Sequence, residues 1–351
     1  MTKVLMKGCE AIGEAAIRAG CRHFFGYPIT PQTEVPEYLA RRFPEVGGQF
    51  VQAESEVAAI HMLYGGAGVG KRVLTTSSSP GISLMAEGVS YAAASHIPLV
   101  LVNIVRAGPG LGGILPSQSD YLQATKGHGH GDYHIIVLAP AAVQEAVDLI
   151  YEAFDLADKY LTPVMVMGDG MIGQMMEPVD FPPMRDLDSL PEKTWAASGA
   201  AGRAPNIINS LYLKEEECNR NSWKLREKYD IIEKAEKRHE TYKCRGDLDC
   251  LIVAYGSMAR ICKTAIEVLR AEGVKVGMIR PITLWPFPYD TFRKWAGEVK
   301  VILDVEMSMG QMIEDVKMAV VEKVPVEFYG RVGGMVPTPG EVADKVRELV
   351  G

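Results

Sequence analysis

The chain has 351 residues, with 44 Asp+Glu against 37 Lys+Arg, a formal charge of −7 and a pI near 5.6. Its 47% hydrophobic and 23% charged residues suit a globular chain with a sizeable core, which excludes disorder for most of it, and at roughly 150 residues per domain there is room for about two domains. An acidic balance without a long Lys/Arg run excludes an electrostatic nucleic-acid footprint, and no stretch approaches the roughly 18 uninterrupted apolar residues of a membrane span: the longest, Ile97 to Val105, already holds Pro98 and Asn103.

Met1 to Glu10 carries Lys3 and Lys7 but no apolar h-region, so a cytoplasmic protein is expected. Cys9, Cys21, Cys218, Cys244, Cys250 and Cys262 are scattered with no C-x-x-C pair, which encodes neither a zinc ribbon nor a cysteine-clustered iron–sulfur site. Free thiols are expected.

In chain order, Gly8 to Ala19 is predicted as a helix with small residues on one face, and Cys21 to Phe25 as a strand running into the turn Gly26-Tyr27-Pro28-Ile29-Thr30-Pro31. Gln49 to Gln52 is a further strand, and Ser55 to Tyr64 a helix ending in Gly65, Gly66, Gly68 and Gly70. Strands follow at Arg72 to Thr76, Leu99 to Val105, Ile135 to Ala139 and Val164 to Met167, with helices at Gly81 to Ala94 and Ala142 to Lys159. This alternation is the pattern of a parallel sheet wound with helices. Asp180 to Pro191 and Trp195 to Asn209 lack periodicity and read as linker; in the charged stretch Lys214 to Tyr242, the helical spacing of Leu225, Tyr229, Ile232 and Ala235 predicts an exposed helix laid along the protein. A second α/β unit has strands at Asp249 to Ala254, Val274 to Arg280, Val299 to Val305 and Val326 to Tyr329. Its helices end at Gly273 or span Gly310 to Val320 and Gly340 to Val350, with a Pro-rich loop at Pro281 to Pro288. The expected fold class is α/β: two Rossmann-like domains joined by a helical linker.

Several motifs carry chemistry beside a plainer reading. Tyr27, Pro28, Ile29 and Thr30 lie where a strand ends, the place where open α/β sheets bind ligands, but a structural turn explains them as well. In Gln52-Ala53-Glu54-Ser55-Glu56-Val57-Ala58-Ala59, either acid could simply oppose the helix dipole. Glu54 suits a capping role, and Glu56, followed at once by Val57-Ala58-Ala59-Ile60, is the one expected to be buried facing a ligand. Arg106 follows an apolar strand and precedes Gly108, Gly110, Gly112 and Gly113; it could grip a carboxylate bidentately or form an ion pair with Asp120. Gly168-Asp169-Gly170 imitates a diphosphate–magnesium motif, but the nearest Asn downstream, Asn206, lies across a Pro-rich linker, so no metal is assigned to this chain. His128, His130 and His134 are expected in a solvated loop.

Taken in order, GYPITPQTEVPEYL, QAESEVAAIHMLYGGAGVG, TTSSSPGISLMAEG, VRAGPGLGGILPSQSDYLQA and YGRVGGMVPTPGEV resemble the alpha subunit of a 2-oxoacid:ferredoxin oxidoreductase, nearest the 2-oxoisovalerate (branched-chain) type and similar also to the 2-oxoglutarate type. The resemblance implies a thiamine diphosphate pyrimidine-binding domain over 1–180, a linker over 181–246 and a transketolase C-terminal-like domain over 247–351. It implies oxidative decarboxylation of a 2-oxoacid to acyl-CoA and CO₂ with electrons to ferredoxin. Thiamine diphosphate would be shared with a beta subunit, while Mg²⁺ and iron–sulfur clusters would sit on partners only: the beta subunit, a gamma subunit and a ferredoxin-like subunit. The family's pattern of a Glu with a Gly nine positions on (65 − 56) fits Glu56 with Gly65, making Glu56 the catalytic and cofactor-binding carboxylate. Tyr27, Pro28 and Ile29 fall to the cofactor, and Thr30 and Arg106 to the substrate. One departure is Ser79-Pro80, where many relatives have Gly-Pro. The other readings are a non-catalytic scaffold and a two-chain thiamine decarboxylase without redox function.

Overall fold

The computed structural model describes residues 3–351. The first body runs β1 (Val4–Lys7), α1 (Gly8–Arg18), β2 (His23–Gly26), α2 (Glu34–Val46), β3 (Gln49–Gln52), α3 (Glu56–Gly68), β4 (Val73–Ser77), α4 (Ser79–Ala94) and β5 (Leu99–Val105). It continues through α5 (Tyr121–Thr125), β6 (Ile136–Leu138), α6 (Val143–Tyr160), β7 (Pro163–Asp169), α7 (Gly170–Gln174) and β8 (Met176–Val179). A long helix, α8 (Glu215–Ala235), crosses to the second body: β9 (His239–Tyr242), β10 (Leu248–Val253), α9 (Gly256–Ala271), β11 (Val276–Pro281), β12 (Thr283–Trp285), α10 (Tyr289–Trp295), β13 (Val299–Glu306), α11 (Met312–Val320), β14 (Val326–Gly330) and α12 (Pro339–Val350).

The first sheet has the order β12-β6-β7-β5-β4-β2-β3, the second β14-β13-β10-β11-β9. Both are parallel apart from one antiparallel edge strand each, β12 and β9. Helices cover both faces, so β5 and β7 are buried at every position, which is why they read as continuous apolar runs.

Among the departures from the sequence expectation, four bear on how the bodies pack. Helix α2 was hidden by Pro36 and Pro44, one in its first turn and one near its end, yet Val35, Leu39 and Phe43 bury one face. Helix α3 continues past Tyr64 through Gly65 and Gly66. A Cβ at Gly66 would stand 3.1 Å from both Phe25 and Val73, so the missing side chain allows close packing, offsetting the roughly 1 kcal/mol that a mid-helix glycine costs. The Pro-rich loop after Pro281 contains β12, which leaves the second body to pair with β6 of the first. Strand β9 lies within the stretch expected as linker and pairs with β11.

On α8, Leu225, Tyr229 and Ile232 are buried as their spacing predicts, while Ala235 is exposed. The histidine loop is not solvated throughout: His128 is 6% exposed, and His134 stacks on Trp285 with ring centroids 4.6 Å apart. Desolvation lowers the His128 pKa to about 4. Among the described residues no helix is long and apolar enough to cross a membrane.

Candidate active site

Because β2, β3, β4, β5 and β7 of the first sheet run parallel, their carboxyl ends collect at one edge. Each sequence-derived site residue stands there.

Glu56 begins α3, whose N-cap is Ser55: the Ser55 hydroxyl accepts from Ala58 N at 3.2 Å. The capping role expected of Glu54 is therefore taken by Ser55, and Glu54 is exposed. Glu56 is 6% exposed. Its carboxylate lies against the start of α4, where a Cβ on Gly81 would stand 2.6 Å from Oε1. No hydrogen bond from another described residue reaches that carboxylate, which leaves its oxygens free to accept from a donor outside the chain.

Arg106, just past β5, is 8% exposed. Its Nη1 donates to Thr30 O at 2.9 Å and its Nη2 to Leu111 O at 3.2 Å, while Nε is buried with no partner. Asp120 takes no part: its carboxylate accepts from Asn103 Nδ2 at 2.9 Å, and burial pushes its pKa up against that bond. The ion-pair alternative is therefore replaced by a guanidinium held between two neutral carbonyls, with charge and donors to spare. Ser79 ties this element to the start of α4: its hydroxyl donates to Arg106 O at 3.3 Å and accepts from Arg106 N at 3.1 Å. A glycine at that position could make neither bond.

The turn after β2 places Thr30 and Tyr27 at the surface, with Pro28 exposed and Ile29 half-buried. It is fastened by Gln32, which the sequence reading missed. Fully buried, Gln32 donates from Nε2 to Tyr27 O at 3.3 Å and accepts the Thr76 hydroxyl at its Oε1. The structure thus brings Thr30 and Arg106 into direct contact and links them through Ser79 to the helix start facing Glu56; Tyr27, Pro28 and Ile29 make no contact with either charge among the hydrogen bonds described. Polar Gln32 and small Gly81 carried no local periodicity that could have revealed their roles.

A cavity of about 1050 Å³ opens beside Thr30, bounded by Pro116, Gly170, Gln174 and, from the second body, Ser257 and Arg260. A second, of about 410 Å³, is lined by Ser79, Gly108, Asp120 and Met307. Asp169 serves neither: its carboxylate caps α7, accepting from Met171 N at 2.8 Å and Ile172 N at 3.3 Å. Asn206 binds the carbonyls of Thr194 and Ala196. The arrangement offers a buried carboxylate for proton transfer and a fixed cation for an anionic ligand; of Glu56, Arg106 and Thr30 only Thr30 lines the large cavity, and Arg106 is bonded to its carbonyl.

Comparison with known proteins identifies the family of the chain. The family described as "Pyruvate flavodoxin/ferredoxin oxidoreductase, thiamine diP-bdg" matches residues 14–243, and "Pyruvate:ferredoxin oxidoreductase core domain II" matches 249–342. The chain is 46% identical to the ketoisovalerate oxidoreductase subunit VorB of Methanothermobacter marburgensis, covering 100% of this chain and 99% of that one. It is 36% identical to the 2-oxoglutarate synthase subunit KorA of Archaeoglobus fulgidus, over 94% of this chain and 95% of the relative. Among solved structures, 2-oxoglutarate:ferredoxin oxidoreductase from Magnetococcus marinus, with 2-oxoglutarate, coenzyme A and succinyl-CoA bound, superposes with a TM-score of 0.87 at 28% identity. That match covers 100% of this chain and 66% of the longer one.

Proposed function

The chain belongs to the 2-oxoacid:ferredoxin oxidoreductase family, and on that premise we propose that it is the alpha subunit of a thiamine-diphosphate-dependent enzyme that converts 2-oxoisovalerate, coenzyme A and ferredoxin to acyl-CoA, CO₂ and reduced ferredoxin. The observation that carries this reading is the buried Glu56 carboxylate, unpartnered within the chain and facing a helix start with no Cβ at Gly81. Such a carboxylate fits the aminopyrimidine end of thiamine diphosphate, whereas Asp169, engaged as a helix cap, leaves the diphosphate end to a partner. The branched-chain substrate follows the 46% relative; the 36% relative acts on 2-oxoglutarate, which is the second reading. A non-catalytic scaffold is disfavoured, because burying unpaired Glu56 and Arg106 lowers stability without serving assembly.

In this reading residues 1–180 hold the pyrimidine, 181–246 form the linker, with β9 joining the second sheet, and 247–351 form the transketolase C-terminal-like domain. Thiamine diphosphate supplies, when bound, the carbanion chemistry that makes loss of CO₂ from a 2-oxoacid feasible. Glu56 would hold a proton at pyrimidine N1′, and its burial between the starts of α3 and α4 would shield that proton from bulk water. Arg106 grips the substrate carboxylate, and Gly108 and Gly110 allow it close approach. Thr30 orients the oxoacid at the mouth of the large cavity. The beta, gamma and ferredoxin-like subunits contribute Mg²⁺ and iron–sulfur clusters.

Co-expression with candidate partner subunits tests this. A complex carrying iron–sulfur clusters that reduces ferredoxin with 2-oxoisovalerate and coenzyme A is the expected result. A complex equally pure that turns over only 2-oxoglutarate would transfer the substrate assignment to the second reading, and one that releases free aldehyde without reducing ferredoxin would favour the non-redox decarboxylase.

A further inference from the structure

In the second sheet β11 and β13 flank β10, so the connections around β10 run in opposite directions and open a crevice at the carboxyl ends of β10 and β13. Open α/β sheets take their ligands at such a crevice. Here a residue of the first body fills it. Gln118 is 2% exposed. Its Nε2 donates to Tyr255 O at 2.9 Å and its Oε1 accepts from Met307 N at 3.0 Å. Its backbone N donates to Met307 O at 2.9 Å, and its carbonyl accepts from the Tyr255 hydroxyl at 3.1 Å. Gly256, at φ +55°, shapes the turn to the amide: a Cβ there would stand 3.2 Å from Gln118 Nε2.

The segment between Arg106 and Gln118 is rich in glycine, and Gly110 and Gly112 have positive φ. It folds back on Arg106, with Ala107 N donating to Leu115 O at 3.0 Å, Gly113 N to Ala107 O at 2.9 Å, and Leu111 O taking Arg106 Nη2. So flexible a loop loses much backbone entropy on ordering and needs an anchor at each end. Arg106 is one and Gln118 the other.

We propose that Gln118 is a positioning residue for Arg106: the crevice of the second body grips Gln118 and thereby fixes loop 107–117 around the guanidinium. This rests on the reading of Arg106 as the substrate's carboxylate grip. The second body then serves the chemistry of the first through this buried residue, with Ser117 Oγ, which donates to Met307 O at 3.2 Å, beside it.

The test uses the assembled complex carrying Gln118→Met, Arg106→Lys or both, with kcat, KM for 2-oxoisovalerate, KM for coenzyme A, and hydrogen exchange across 107–117 as readouts. Gln118→Met should raise KM for the oxoacid about 10- to 100-fold, since misplacing a binding group by about 1 Å has effects of that order. KM for coenzyme A should stay unchanged, exchange at 107–117 should rise, and β10 and β13 should keep their protection. The double variant should be no worse than Arg106→Lys alone, because both act on one contact. If Arg106→Lys raises KM and Gln118→Met does not, Gln118 is only a filler and the proposal falls while the substrate reading stands. If neither raises KM, the substrate reading itself has failed. Gln118→Glu guards against a Met variant that does not assemble: it keeps the acceptor to Met307 N but loses the donor to Tyr255 O, and an unchanged KM there also overturns the proposal.

Discussion

Gly81 gives its missing side chain to Glu56: a Cβ at position 81 would stand 2.6 Å from Glu56 Oε1 and 2.1 Å from Ser77 Oγ. Two helices, α3 and α4, start face to face, and the carboxylate occupies the space between them. Gly81→Ala should therefore push Glu56 aside rather than be absorbed, since real Cβ contacts do not come so close. The assembled enzyme should lose turnover by roughly 10²-fold through misplacement of the carboxylate. Unchanged turnover in steady-state assays would show that the acid is not held by this cradle.

The two acids on either side of the N-cap Ser55 separate cleanly. Glu56 is buried and Glu54 exposed, so Glu56→Gln should cost about 10²- to 10⁴-fold in turnover, the usual scale for lost acid–base assistance, and Glu54→Gln almost nothing. Equal losses, or a dead Glu54 variant, would mean that the roles have been assigned to the wrong acid.

What could be read from the sequence depended on whether the cause was local. Strand β5 was legible because burial on both faces demands an uninterrupted apolar run, and Glu56's burial because Val57-Ala58-Ala59-Ile60 follows it at once. Helix α2 was not, because Pro36 and Pro44 are start and stop signals when read alone. Strand β12 was not, because its hydrogen-bond partner β6 belongs to the other body. The same holds at the site: the Ser79 hydroxyl bonding to Arg106, the buried Gln32 and the Gly81 cradle are products of approach between distant segments. Residue types show which groups are able to do chemistry; only packing shows what holds them still.

His128 should make the protein acid-sensitive. Both ring nitrogens are buried without partners, and desolvation lowers its pKa from 6.5 to about 4. In the unfolded chain the imidazole takes a proton below its usual pKa, whereas the folded chain refuses it until about pH 4. Stability is thus full above pH 6.5 and falls as pH drops toward 4. At one pH unit per 1.36 kcal/mol the deficit near pH 5 is about 2 kcal/mol. His128→Leu gives up no hydrogen bond and removes this term, so its melting temperature should fall less than the parent's between pH 7.5 and pH 5. Parallel melting curves for the two proteins would show that the ring is hydrated.

Arg106→Lys separates substrate binding from loop architecture. Lysine keeps the positive charge but not the planar fork, so one nitrogen must replace the two that now reach Thr30 O and Leu111 O, and the two-pronged grip on a carboxylate is lost. Every 2-oxoacid presents the same carboxylate, so KM should rise by a similar factor for 2-oxoisovalerate, 2-oxoglutarate and pyruvate, leaving their order of preference intact. Selectivity between them must lie elsewhere, in the walls that meet the side chain. If Arg106 only braced the loop, the substitution would lower the melting temperature and leave KM in place. Ser79 makes that distinction sharper: its bonds run to the backbone of Arg106 and survive the change of side chain, so the strand end stays put and a KM effect reports the guanidinium alone. Unchanged KM for all three acids would remove Arg106 from the substrate site and leave Thr30 as the polar contact at the cavity mouth.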